Sequence, residues 1–164
     1  ETGDYRPIRP SVKCISNAMN VGHPSNLARV FWLYGGEMDE TGRVIRAPDI
    51  EMMRREIFSV SVTDAETREA ISEAYNRFDI LLEPHGAVGW AGLTRYLKLV
   101  EDWSPCVSLE TADPAKFPEE VVRAVGLEPP TPEAMARLDY LEEKFDLVAG
   151  DYRAFKGQLS KLFL

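Results

Sequence analysis

Apolar and polar positions along the chain switch repeatedly between two periods. Residues 58–63, FSVSVT, place an apolar or β-branched residue at alternate positions, the period of a strand. Residues 63–78, TDAETREAISEAYNRF, change to helical spacing. Their start is written twice over: Thr63 and Glu66 form a T-x-x-E capping box, and acids crowd the first turn, where the helix dipole favours them. The same exchange recurs on either side. SVKCIS (11–16) reads as a strand. PSNLARVFWLYGG (24–36) reads as a helix with Leu27, Val30, Phe31 and Tyr34 on one face, Ser25 or its neighbour as the cap, and Gly35-Gly36 as the stop.

DILLEP (79–84) is a short apolar run, and HGAVGWAGLTRYLKLV (85–100) a helix rich in small residues. PCVSLET (105–111) reads as the next strand, and PAKFPEEVVRAVG (114–126) as a helix ended by Gly126. EMDETGRVIRAPD (37–49) reads as a polar loop, and DIEMMRREI (49–57) as a short helix. LEPPTPEA (127–134) is a Pro-rich linker in which Thr131 caps a helix with Pro132 at its first position. DYRAFKGQLSKLFL (151–164) closes the chain as an amphipathic helix.

Strands alternating with helices predict an α/β fold of three αβα layers with a small, mostly parallel sheet. Three or four strands are few for such a sheet and leave its edges open. The polar opening ETGDYRPIRPSV has neither an initiator Met nor a helix or strand pattern. Both features predict a part of something larger. The domain expectation is a sheet-and-helix portion over residues 1–128, followed by C-terminal helices over 129–164.

Composition narrows the function classes. A chain of 164 residues, 45% hydrophobic and 10% aromatic, suits one soluble globular domain with a sizeable core. No apolar run reaches the length of a membrane span, and no leader pattern opens the chain. A net charge of −8 disfavours a nucleic-acid partner. Cys14 and Cys106 lie far apart in apolar contexts, so each is expected to be a buried thiol of a cytoplasmic protein.

No P-loop, G-x-G-x-x-G or G-x-S-x-G motif is present, and no His, Cys or carboxylate spacing suits a metal. His23 and His85 each adjoin a proline at an element boundary, where structural hydrogen bonding is the ordinary role. Three stretches remain. SNAMNVGHPSN (16–26) offers Ser16, Asn17, Asn20, Ser25 and Asn26 around a glycine ahead of a helix. That suits a phosphate or carboxylate contact, or ordinary capping. EPHGAVGWAGL (83–93) carries small residues that allow close approach of a ligand or of a neighbouring element. LETADPAKFP (109–118) puts Thr111 at the C-terminal end of a predicted strand, where open α/β sheets bind ligands. Lys116, between prolines, reads as a solvated lysine.

These segments, in order, resemble threonine synthase. ETGDYRPIRPSV leading to SNAMNVGHPSN is similar to that family's T-G-x-Y-x-P-R-x-S-V run followed by S-N-A-M-D-V-G-x-P-S-N-F. LLEPHGAVG resembles its D-P-H-T-A-V-G segment, LETADPAKFPE its A-T-A-H-P-A-K-F-P-E segment, and GDYRAFKGQL its terminal N-D-Y-x-A-x-K helix. The resemblance runs from residue 1 to about residue 160. It implies the C-terminal part of a pyridoxal 5'-phosphate enzyme of the tryptophan-synthase-like fold. That enzyme converts O-phospho-L-homoserine and water to L-threonine and phosphate.

The family's Schiff-base lysine and cofactor-phosphate loop lie upstream of the matched region, so the resemblance implies that this chain alone is inactive and lacks a covalently held cofactor. The missing N-terminal half becomes an expected partner. The family places a Thr or Ser facing the pyridine nitrogen where Thr111 stands, and puts the region of Ser16, Asn17, Ser25 and Asn26 near the substrate. Two departures stand out: Gly86 replaces a usual Thr or Ser, and Asp113 a usual His. If the backbone stays extended, Asp113 shares a side with Thr111 and favours a protonated ring nitrogen. The alternatives are a standalone degenerate ligand-binding or protein-interaction domain, and an autonomous enzyme using Lys116.

Overall fold

The computed structural model describes residues 5–18, 20–100 and 104–163. Helix α3, Asp64–Phe78, carries most of the helix packing up to residue 130. Its capping box forms as written: the Glu66 N–H donates to Thr63 Oγ1 at 3.3 Å, and the Thr63 N–H donates to Glu66 Oε2 at 2.8 Å. Thr67, Ala70, Ile71 and Ala74, spaced on one face, are its buried residues. That face packs on α4, Pro84–Leu99, and on α5, Pro118–Val125. The core is Ala70, Ile71, Ala74, Leu82 and Ala87, with Trp90, Ala91, Ala124 and Val125 packed against it. Arg68 of α3 pairs with Glu120 of α5 at 2.8 Å across the same contact. Asp79 ends α3 in the left-handed region, φ 56°, its N–H donating to the Tyr75 carbonyl.

The shorter helices hold to their patterns in part. Helix α2, Ile50–Glu56, is capped by Asp49, whose carboxylate accepts the Met52 N–H at 2.9 Å. Helix α1, Leu27–Leu33, begins at Asn26 without a side-chain cap, so neither Ser25 nor Asn26 has the predicted capping role. The predicted helix 114–126 is two pieces, a 3₁₀ turn at Pro114–Lys116 and then α5. Pro118 disfavours helical backbone at Phe117, which sits at φ −132°, ψ 47°.

Strand pairing departs most from expectation. Among the described residues one ladder forms: β1, Glu37–Met38, antiparallel to β2, Val44–Arg46. It lies inside the stretch read as a polar loop. Asp39 makes its turn, one carboxylate oxygen accepting from the N–H of Thr41 and of Arg43 and from the Thr41 hydroxyl. The segments 11–16, 58–63 and 105–111, read as strands, carry no ladder, and neither does the run 79–84. The α/β class stands, with one small antiparallel ladder in place of the predicted mostly parallel sheet among the described residues. A strand needs a neighbouring backbone to satisfy its polar groups, and none reaches these segments. Apolar side chains on two of them face solvent: Phe58 is 44% exposed and Val107 81%.

The chain divides into two compact units, Glu1–Pro130 and Thr131–Leu164. The second holds α6, Glu133–Ala136, a 3₁₀ turn at Leu138–Tyr140, and α7, Tyr152–Phe163. Pro132 sits at the cap position of α6 with no side-chain bond, so Thr131 is not its cap. Asp151 opens α7 by accepting the Ala154 N–H at 2.9 Å. Among the described residues no helix is long and apolar enough to cross a membrane.

Two substitutions grade the α3 contribution. Ile71→Ala should cost about 2–5 kcal/mol through loss of buried methylenes and the cavity left behind. Thr63→Ala should cost about 1 kcal/mol through loss of the cap. Urea unfolding of both variants measures the two, and an Ile71→Ala loss no larger than that of Thr63→Ala would place the core elsewhere.

Candidate active-site wall

The starts of α3 and α4 grip the same loop. The Asp64 carboxylate, at the head of α3, accepts the Ile15 N–H at 3.1 Å. His85, in the first turn of α4, accepts the Ala18 N–H on Nε2 at 3.1 Å. An imidazole nitrogen that accepts a backbone N–H carries no proton, so the ring proton belongs on Nδ1. There it meets the Glu83 carboxylate, Nδ1 to Oε2 being 2.5 Å. The His85 ring packs at a tilt on Phe117, centroids 5.1 Å apart. Loop 14–18, the start of α4 and the turn 113–117 therefore meet. A cleft of about 370 Å³ opens there, its lining including Cys14, Ile15, Asn17, Lys116 and Phe117.

Glu83 is 0% exposed. Its two oxygens accept the N–H groups of His85 and Gly86, each at 2.8 Å, and so cap α4. Burial alone would push its carboxyl upward. The N–H and imidazole of His85 and the N–H of Gly86 outweigh burial and hold it below the usual carboxylate range.

Glu110 behaves in the opposite way. The residue as a whole is exposed, but its carboxyl end is tucked against Gly86, and its Oε1 lies 3.5 Å from the Glu83 N. Partial burial of that end, with the hydrogen bond to Glu83 and the negative charges of Glu83 and Asp113, pushes its carboxyl up to about 7. Two carboxyl groups in one place thus have opposite shifts.

The predicted site residues fall into separate places. Thr111 follows Glu110 and is exposed at the end of segment 105–111. That segment lies close on α4, since a Cβ on Gly89 would come within 3.3 Å of Ser108 Oγ. Asn17 and Lys116 line the cleft together. Ser16 is half-buried, its carbonyl accepting the Cys14 thiol at 3.4 Å. Ser25 and Asn26 stand exposed ahead of α1 and are not among the residues lining the cleft. The Asp113 carboxylate caps the 3₁₀ turn, accepting the Ala115 N–H at 2.9 Å.

Cys14 is half-buried, but Cys106 is exposed, against expectation. His23 pairs through Nδ1 with the Tyr5 hydroxyl at 2.5 Å, and His85 is likewise hydrogen-bonded. Sequence reasoning missed Glu83 and Glu110. The glycine where a hydroxyl residue was expected at 86 was the available signal.

Raised and lowered carboxyls have opposite linkage. Glu110, with a folded-state value of about 7 against an ordinary 4.5, contributes stability fully present below about pH 4.5 and lost as pH rises through about 7. Glu83, held low, contributes stability above the ordinary value that is lost as pH falls through its folded one. Denaturation midpoints of wild type and Glu110→Gln should therefore diverge between these two pH values, the variant gaining on wild type as pH rises. Parallel curves would contradict the raised carboxyl.

Comparison with known proteins finds relatives of one kind. The family description "Threonine synthase, C-terminal" matches residues 86–158. Threonine synthase of Haemophilus influenzae is 29% identical over 164 residues, which cover 98% of this chain and 34% of that protein. Human threonine synthase-like 2 is 27% identical over 90% of this chain and 33% of its own length. Among solved structures, PLP-bound threonine synthase from Brucella melitensis superposes with a TM-score of 0.75 at 25% identity, over 93% of this chain and 35% of that one. Threonine synthase from Escherichia coli superposes with a TM-score of 0.68 at 26% identity, over 98% and 33%. The chain thus spans about a third of the length of the relatives it matches.

Proposed function

We propose that this chain, which belongs with the threonine synthases through their C-terminal part, forms one wall of a pyridoxal 5'-phosphate site. The rest of that site, including the Schiff-base lysine, comes from the N-terminal portion of the enzyme. The complete enzyme converts O-phospho-L-homoserine and water to L-threonine and phosphate. The observation that carries the reading is the likeness to a PLP-bound threonine synthase over 93% of the chain.

The residues present fit one side of such a cofactor. Thr111 offers an open hydroxyl at the end of a segment laid against small residues of α4. Val107 and Leu109, 81% and 74% exposed, leave apolar surface uncovered beside it. When bound, the cofactor supplies an electron sink for carbanion charge on the substrate. The Thr111 hydroxyl, neutral and able to donate or accept, would hold the ring nitrogen by a hydrogen bond without forcing a proton onto it. Ser16 and Asn17, on the loop gripped by Asp64 and His85, serve the substrate side. Ser25 and Asn26 lie apart from the cleft and have a weaker claim. The Asp113 carboxylate is engaged in capping, so an electrostatic role at the ring is secondary. Lys116 lines the cleft and has no covalent role in this reading.

Phosphate release from O-phospho-L-homoserine tests the assignment. The chain alone, given pyridoxal phosphate, should release none, and borohydride should fix no cofactor on Lys116. The complete enzyme carrying this chain should be active. Thr111→Ala in it should lower turnover by about tenfold, the worth of one hydrogen bond of about 1.4 kcal/mol. Activity of the chain alone, or a reduced Lys116 adduct, would overturn the reading.

A further inference from the structure

We propose that Gly86 and Glu110 are a matched pair: the bare backbone at 86 seats the carboxyl end of Glu110 against the start of α4, and Glu110 is thereby the positioning residue for Thr111. Gly86 lies in the first turn of α4 with no positive φ, so its backbone conformation does not call for glycine. Glycine there also weakens the helix relative to alanine. What it supplies is room. A Cβ at 86 would come within 2.2 Å of Glu110 Oε2 and 2.4 Å of Cδ and Oε1. The carboxyl of Glu110 fills the volume that a side chain at 86 would occupy.

The seat is also chemically specific. Glu83 takes the N–H groups of His85 and Gly86, while its own N faces Glu110 Oε1 at 3.5 Å. Glu110 is thus pinned over the same turn by a backbone N–H and by the neighbouring carboxyl. The titratable groups acting on it are Glu83, the cap of α4, and Asp113 from the following turn; His85 is paired with Glu83 behind it. Glu110, Glu83 and Asp113 are all carboxyls, so a proton held between Glu110 and Glu83 relieves their repulsion, and Glu110 takes it because Glu83 is committed to N–H donors. In an extended segment consecutive side chains face opposite ways. Holding residue 110 inward against α4 turns Thr111 outward, and Thr111 is exposed. That Thr111 is worth positioning rests on the cofactor-site reading; the seating of Glu110 does not.

The test is a nuclear magnetic resonance titration of the full chain, following the Glu110 side-chain carboxyl and the backbone amides of Glu83 and Thr111. In wild type the carboxyl should titrate at about 7, with both amides moving at the same midpoint. Gly86→Ala removes no ionisable group, yet its methyl should displace the carboxyl. The Glu110 midpoint should fall to the ordinary glutamate value of 4.5, and Thr111 should stop following it. Glu110→Gln keeps the volume and should abolish the response at Glu83 and Thr111. An ordinary Glu110 titration in wild type, an unchanged midpoint in Gly86→Ala, a Thr111 amide that does not follow, or a response that survives Glu110→Gln would each overturn the pairing. Failure of the phosphate-release test with this titration intact would remove the cofactor reading and leave the seat standing.

Discussion

Glu83 keeps its charge with no exposure to water, and its surroundings are arranged to meet that charge. A buried, unpartnered carboxylate would cost on the order of several kcal/mol. Here it meets the N–H groups of His85 and Gly86, donors that a helix start leaves unsatisfied, at the positive end of the α4 dipole. It also meets Nδ1 of His85. That contact sets the tautomer, the tautomer makes Nε2 an acceptor, and Nε2 holds the Ala18 N–H. One buried charge therefore fixes the beginning of a helix, the state of an imidazole and the position of the loop bearing Ser16 and Asn17.

The same charge constrains what can stand beside it. A second carboxyl this close is disfavoured as an anion, and Glu110 shows the consequence in a carboxyl raised to about 7. Asp113 adds to the repulsion while its own oxygen is spent on the Ala115 N–H. Phe117 closes the other side of the imidazole. Protonation at Glu110 and packing at Gly86 are two descriptions of one arrangement. A side chain at 86 would collide with the Glu110 carboxyl, so volume there bears on the charge at 110.

Local signals were legible and distant ones were not. The capping box at Thr63 and Glu66 and the glycine ending α5 formed where the sequence wrote them, because each is settled within one turn of chain. The period of FSVSVT was equally clear, yet a strand is completed by backbone from elsewhere, and none arrives. The β1–β2 hairpin was missed for the reverse reason. Its strands are too short to show a period, and the Asp39 turn that makes them was read as polarity alone. Thr111 could be flagged from its place at a strand end. The Glu83–Glu110 pair could not, since it depends on two segments 27 residues apart meeting over a glycine.

Two segments of strand character stand unpaired and apolar among the described residues. Ile57, Phe58 and Val60 line a groove of about 760 Å³ with Val88, Leu93 and Tyr96 of α4. Phe58 and Tyr96 already touch, ring centroids 5.6 Å apart. Val107 and Leu109 extend the apolar surface, on the segment that ends at Thr111. Apolar surface of this kind, on segments with strand character and no ladder, is what a sheet shows when its neighbours are supplied by other chain. A covering strand would have to bring backbone donors and acceptors as well as apolar side chains, because both are left open here. The wall and its cover are then coupled. Pairing on segment 105–111 would fix its backbone from one side while Glu110, seated over Gly86, fixes it from the other, and Thr111 would be held between the two.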